Sequence, residues 1–126
     1  MRVLIVDDSM LIRLQLKAFF EEHLSAEVVG LGANGRDAIA LYEKKVPDLV
    51  ILDLNMPVMG GKEAIREILK LAPNARILIC SAIADRAEIT ETLMMGAKTF
   101  ISKPLQFDNQ EFIDTFKEDV EEALKS

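Results

Sequence analysis

Short apolar runs alternate with longer amphipathic segments five times along this chain, and few folds accommodate that order. The runs are Val3–Val6, Val28–Leu31, Leu49–Leu52, Ile77–Cys80 and Thr99–Ile101. The first, third and fourth are almost continuously aliphatic, as parallel strands covered on both faces must be. Between them the apolar spacing becomes that of a helix. Ser9 is placed to cap a helix reaching about His23. A second helix, Gly35 to Lys45, follows an Asn34-Gly35 turn. Ala64, Ile65, Ile68, Leu69 and Ala72 form one stripe on a third, which starts near Gly61. Asp85 caps a fourth that stops near Gly96, and Ile113, Phe116, Val120 and Leu124 mark a last helix running nearly to the C-terminus. This alternation predicts a doubly wound α/β fold.

A chain of 126 residues, half of them apolar, suits one domain with one substantial core. It contains no internal repeat, low-complexity tract or dividing linker. No apolar run approaches the roughly 20 residues needed to span a bilayer. The N-terminus opens directly into a strand-like run, without the layout of a signal peptide. The lone cysteine, Cys80, lies in an apolar run and reads as a small buried hydrophobe. A cytoplasmic protein without a membrane partner is expected. A net charge of −6, with no cluster of Lys and Arg, argues against nucleic-acid binding. It favours a basic patch on a protein partner instead.

What ends each strand carries the chemistry. The first strand ends in Asp7-Asp8, the third in Asp53, the fourth in Ser81 and the fifth in Ser102-Lys103. In a parallel sheet the strand C-termini share one edge, and ligands bind there at the topological switch point. Any one of these residues is explained by a strand reaching the surface; the set is chemically coherent. Two carboxylates about 4 Å apart repel by roughly 4 kcal/mol at an effective dielectric of 20. Three of them call for protonation, a cation, or both. Without accompanying His or Cys, a hard divalent ion such as Mg2+ suits the oxygen donors. Lys103 and the metal could then bind the oxygens of an anionic group brought to Asp53. Phosphoryl transfer is catalysed mainly by positioning and charge stabilisation, and a carboxylate nucleophile yields an aspartyl phosphate.

These residues, in this order and spacing, resemble the receiver domain of two-component response regulators, especially the single-domain chemotaxis type. The resemblance rests on Asp7-Asp8-Ser9 after its aliphatic strand, Asn34-Gly35, Pro47-Asp48, Asp53-Leu54-Asn55-Met56-Pro57, Ser81-Ala82, Gly96-Ala97 and Lys103-Pro104. It implies a flavodoxin-like five-stranded sheet of order 2-1-3-4-5, with five helices in three layers. It further implies one receiver domain over 1–126 with no output domain. Asp53 would be the phosphoacceptor. Asp8 and Asp53 would coordinate Mg2+ (or Mn2+) directly, Asp7 through a water, and Asn55 through its backbone carbonyl. Ser81 would hydrogen-bond a phosphoryl oxygen and Lys103 would pair with another, aimed by a cis Lys103-Pro104 peptide. Phe100 matches the aromatic switch position, whose ring turns inward when Ser81 moves towards the phosphoryl group. Asn55 and Ile83 would tune phosphoryl lifetime, apolar Ile83 by hindering an attacking water. The implied phosphodonor is a sensor histidine kinase or a small phosphodonor. The output would be a protein contact on the face of the fourth helix, fifth strand and fifth helix. A flagellar motor, another kinase or a relay protein would all fit as its target.

The chain departs from the family pattern in places. Phe100 lacks the phenolic hydroxyl of the Tyr often found there. Gly60-Gly61 replaces a polar residue plus Gly and should loosen the start of the third helix. His23 reads as a residue favourable to a helix C-terminus rather than a phosphodonor. Met94 and Met95 lie close to the expected output face, with at least one expected in the core. Glu118, Asp119, Glu121 and Glu122 read as a solvated helix face. The competing classes are weaker fits. A flavodoxin-type FMN site would place Asp7-Asp8 against the phosphate. An aspartyl-phosphate hydrolase of the haloacid-dehalogenase pattern wants Asp where Asn55 stands. A phosphorylation-independent pseudo-receiver would leave the acidic cluster, Ser81 and Lys103 without a purpose. A signalling switch, not a metabolic enzyme, is the leading expectation.

Overall fold

Alternation along each central strand sends successive side chains into two separate cores. The computed structural model describes residues 1–82 and 85–125. Its elements are β1 (Arg2–Val6), α1 (Met10–Leu24), β2 (Glu27–Gly32), α2 (Gly35–Lys45), β3 (Leu49–Leu52), α3 (Gly61–Leu71), β4 (Ile77–Ser81), α4 (Arg86–Met95), β5 (Thr99–Ser102) and α5 (Gln110–Lys125). All strand pairs are parallel, in the order β2-β1-β3-β4-β5. Val3, Ile5, Leu49, Ile51, Leu78 and Cys80 pack with Leu16, Phe19 and Phe20 of α1 and with Ile113, Phe116 and Val120 of α5. Leu4, Val6, Val50, Leu52, Ile77 and Ile79 pack with Ala38 and Tyr42 of α2 and with Ala64, Ile65 and Ile68 of α3. Helices therefore cover both faces in three layers. β3 and β4 are wholly buried and β1 nearly so, which is why their runs are continuous rather than alternating.

The phenylalanines divide unequally between the layers. Phe19 stacks on Phe107 at a centroid distance of 4.6 Å and lies 4.7 Å from Phe116. Phe20 and Phe112 complete that cluster. Burying a side chain of this size stabilises the fold by about 1.5–3 kcal/mol. Phe100 stands apart, half-buried against the other core.

Helix ends follow the expected capping chemistry. The side chains of Ser9, Asn34 and Asp85 accept hydrogen bonds from the amides of Ile12, Asp37 and Ala87. Gly96 closes α4 with φ +120°, a conformation that favours glycine. Met94 is exposed while Met95 packs against the core. Exposed His23 sits in the last turn of α1, stacked on Phe19. On α5, Glu118, Glu121 and Glu122 are exposed as expected. Asp119 is half-buried, and burial, helped by the Glu118 charge, pushes its carboxyl above the usual range. Among the described residues no helix is long and apolar enough to cross a membrane.

Candidate functional site

Strand register alone brings Asp7 and Asp53 together. Val6 pairs with Leu52, so the residues that follow them lie side by side at the carboxyl edge of the sheet. The Asp53 amide donates to the carbonyl of Val6, and the Asp7 amide to that of Gly32. Asp7 and Asp53 are buried, at 1% and 5% exposure, whereas Asp8 is open to solvent. One carboxylate oxygen from each of the three lies within 4.8 Å of the others.

Lys103 enters from the edge strand. Ser81 and Ser102 pair across β4 and β5, and the Lys103 amide donates to the Ser81 carbonyl. The peptide bond from Lys103 to Pro104 is cis. The lysine Nζ donates to Asp7 Oδ2 at 2.7 Å and to Asp53 Oδ2 at 3.4 Å. The remaining oxygens are held by the main chain. Asp7 Oδ1 accepts from the Ser9 amide at 2.9 Å, and Asp53 Oδ1 from the Leu54 amide at 2.8 Å.

The electrostatics show a site short of positive charge. Burial pushes the Asp7 carboxyl up, and the Asp53 charge adds to this; the bonds from Lys103 and Ser9 oppose it without cancelling it. Burial pulls Lys103 down, but the Asp7 hydrogen bond and the charges of Asp53 and Asp7 outweigh it and leave the ammonium above its usual value. One ammonium among three carboxylates leaves room for a second cation. The donors are all oxygens, which suits Mg2+. Cys80 faces the core packed by α1 and α5, and burial pushes its thiol up to about 12.

Ser81 is fully buried, and its Oγ finds no hydrogen-bond partner among the described residues. Such a hydroxyl calls for an explanation in a native structure. It ends the strand next to β3, on the same sheet edge as Asp53. Asn55 is exposed in the loop after Asp53, and Phe100 pairs with Ile79 inside β5. Ile83 lies outside the described residues.

Three contacts at the site had no signal in the sequence patterns. The Arg13 guanidinium donates from Nη1 to the Asp7 carbonyl at 2.6 Å. The Gly35 amide donates to the Met59 carbonyl, and a Cβ on Gly35 would stand 2.6 Å from Met59 Cγ. The Gly61 amide donates to the Leu54 carbonyl, and a Cβ there would stand 2.3 Å from the Asp53 carbonyl oxygen. Gly60 does leave α3 without a side-chain cap, as a loosened start would require. Gly61, in contrast, is buried and close-packed: its missing side chain lets the helix start lie directly against the Asp53 backbone.

Fold and site together define a doubly wound α/β protein with an acidic oxygen-donor centre at the carboxyl ends of its central strands. The model of the response regulator receiver domain matches residues 3–116. Chemotaxis protein CheY of Thermotoga maritima is 46% identical over 105 residues, 83% of this chain and 87% of that protein. The response regulator domain of Thermotoga maritima CheB superposes with a TM-score of 0.90 at 30% identity, covering all of this chain and 97% of that one. CheY in the CheX–CheY–BeF3–Mg2+ complex of Borrelia burgdorferi superposes with a TM-score of 0.86 at 32% identity, covering 94% of this chain and 85% of that one.

The chain belongs to the response regulator receiver family and is CheY-like. Proteins of this kind are two-component signalling proteins rather than metabolic enzymes, and phosphorylation and Mg2+ binding at an acidic pocket are general properties of the family.

Proposed function

We propose that this receiver takes a phosphoryl group from a histidine kinase, or from a small phosphodonor, onto Asp53. The observation that carries the reading is the convergence of Asp7, Asp8, Asp53 and Lys103 beside the unpartnered Ser81 hydroxyl. In the transfer, one Asp53 oxygen bonds phosphorus as the donor's P–N bond breaks. That bond's electrons leave with the imidazole. Lys103 pairs with one phosphoryl oxygen and Ser81 donates to another, giving its hydroxyl the partner it lacks among the described side chains. Mg2+ would be held by Asp8, Asp53 and the Asn55 carbonyl, with Asp7 acting through a water; it supplies neutralising charge for the developing phosphoryl oxyanions. Asn55, exposed beside the acceptor, tunes the lifetime of the acyl phosphate.

The phosphorylated protein signals through the face of α4, β5 and α5. Movement of Ser81 towards the phosphoryl group frees space that half-buried Phe100 turns to fill. α4 exposes Leu93 and Met94, and α5 exposes Glu111, Asp114, Glu118 and Glu121. Such a surface suits a protein target with an apolar patch and basic residues: a flagellar-motor component, a kinase or a relay protein. Intact-mass measurement after acetyl phosphate and Mg2+ tests the reading. It predicts one added phosphate in the wild type and none in Asp53→Asn; rapid catalytic turnover would instead indicate a hydrolase.

A further inference from the structure

Lys62 joins α3 to α4 through two ion pairs made by one ammonium. Its Nζ lies 3.0 Å from Glu88 Oε1 and 3.0 Å from Glu91 Oε2, carboxylates one turn apart on α4. Both hydrogen bonds raise the lysine above its usual value. Few side chains of this helix are buried. Thr92 is the one buried residue among the described residues of α4, whereas α3 and α5 each bury four. The Thr92 hydroxyl is itself turned back to the Ile89 carbonyl of the same helix. Lys62, in contrast, stands on firm ground. It follows Gly61, whose amide bonds the Leu54 carbonyl next to Asp53 and whose Cα packs against the Asp53 backbone.

We propose that Lys62, Glu88 and Glu91 form a clasp that holds α4 in its unphosphorylated position and so sets the threshold at which this receiver switches. The proposal rests on the reading of Asp53 as the phosphoacceptor and of α4 as part of the signalling face. α4 begins five residues after Ser81 and carries Glu88 in its first turn, so the clasp sits at the end of the helix nearest the site in sequence. Lys62 is tied to the Asp53 side of the same site. Moving α4 relative to α3 therefore has to loosen two ion pairs at once. A protein whose competent arrangement is a minor population binds its ligand more weakly by that fraction. Releasing the clasp raises the fraction, and the apparent affinity for a phosphoryl mimic rises with it. Exposed pairs are modest and salt-sensitive, so the threshold should shift about two- to fivefold and the clasp should fade near 1 M salt.

The test uses the whole chain with beryllofluoride and Mg2+, the pair bound in the Borrelia burgdorferi CheX–CheY complex. Lys62→Met, which keeps most of the apolar stem, is compared with Glu88→Gln/Glu91→Gln and with the charge swap Lys62→Glu/Glu88→Lys/Glu91→Lys. Hydrogen exchange of α4 amides is read without ligand, and half-saturating beryllofluoride is read from the Ser81 and Lys103 amide resonances. The first two variants should exchange faster in α4 and need about two- to fivefold less beryllofluoride at low salt. The swap should return towards wild type, and the differences should vanish near 1 M NaCl. If the wild type responds and the variants titrate alike, the clasp is refuted while the site stands. If beryllofluoride moves no resonance in the wild type, the reading of Asp53 fails and the threshold fails with it.

Discussion

The ammonium of Lys103 is bonded to the Asp7 carboxylate at 2.7 Å across 96 residues of sequence, closer than to Asp53 at 3.4 Å. Lysine and aspartate come from β5 at the edge of the sheet and from β1 near its middle, so the bond spans the carboxyl ends of β4 and β3. It draws the positive charge of the site towards the most buried carboxylate. A phosphoryl group on Asp53 would then compete with Asp7 for the same lysine.

The Asp7 carboxyl holds its proton more tightly in the folded protein than in the unfolded chain, because burial outweighs its bonds from Lys103 and Ser9. Its contribution to stability is complete at pH below the unfolded value and is lost as pH rises through the raised folded value. Asp7→Asn should therefore raise the urea midpoint at neutral pH without Mg2+ and flatten the acid side of the stability profile. A lower midpoint at neutral pH would mean that the pairing with Lys103 matters more than burial.

Mg2+ should stabilise the folded protein, since a ligand that binds only the native state adds about 2.7 kcal/mol at one hundred times its Kd. The urea midpoint should rise with little change in slope. Asp8→Asn and Asp53→Asn should each lose most of that increment. An equal rise with NaCl at matched ionic strength would reduce the effect to screening.

Gly61→Ala should destabilise the protein by about 1–3 kcal/mol, the usual range for overpacking a close contact. The added methyl meets the Asp53 carbonyl oxygen at 2.3 Å, and neither backbone can yield without moving α3 or the acceptor. Urea unfolding checks the stability, and the rate of labelling by acetyl phosphate should fall as well. Gly60→Ala, whose Cβ would meet the Leu54 carbonyl oxygen at 3.2 Å, should be far milder.

Cys80 should resist thiol reagents in the native state. It is 1% exposed, and burial pushes its thiol up to about 12, so the reactive thiolate is scarce at pH 8. Labelling with a chromogenic disulfide should proceed at the rate of unfolding and accelerate in urea. Fast labelling in buffer would show that β4 opens locally.

Much of the architecture was readable because burial on two faces leaves a plain mark on sequence. Leu49–Leu52 and Ile77–Cys80 have no polar residue, and such runs belong in the middle of a parallel sheet. Asp7, Asp53, Ser81 and Lys103 were visible because each interrupts or follows such a run. The two edge strands are less buried, and β1 and β2 change register at a bulge between Val3 and Leu4 that no local pattern announces. Arg13 on the Asp7 carbonyl, Gly35 against Met59, and Lys62 between Glu88 and Glu91 all join segments whose own periodicities are complete without them. Asp119 looked like one more acidic residue on a solvated face, yet it borders the stripe of Phe116, Val120 and Ala123 closely enough to be half-covered.

Phosphorylation is expected on Asp53 and on no neighbouring carboxylate. After labelling with acetyl phosphate and Mg2+, borohydride reduces an acyl phosphate to the alcohol, turning the modified aspartate into homoserine. Peptide sequencing by tandem mass spectrometry then reads the position. Homoserine is expected at position 53 in the wild type, absent without Mg2+ and absent from Asp53→Asn. Homoserine at position 7 or 8, or its appearance in Asp53→Asn, would contradict it.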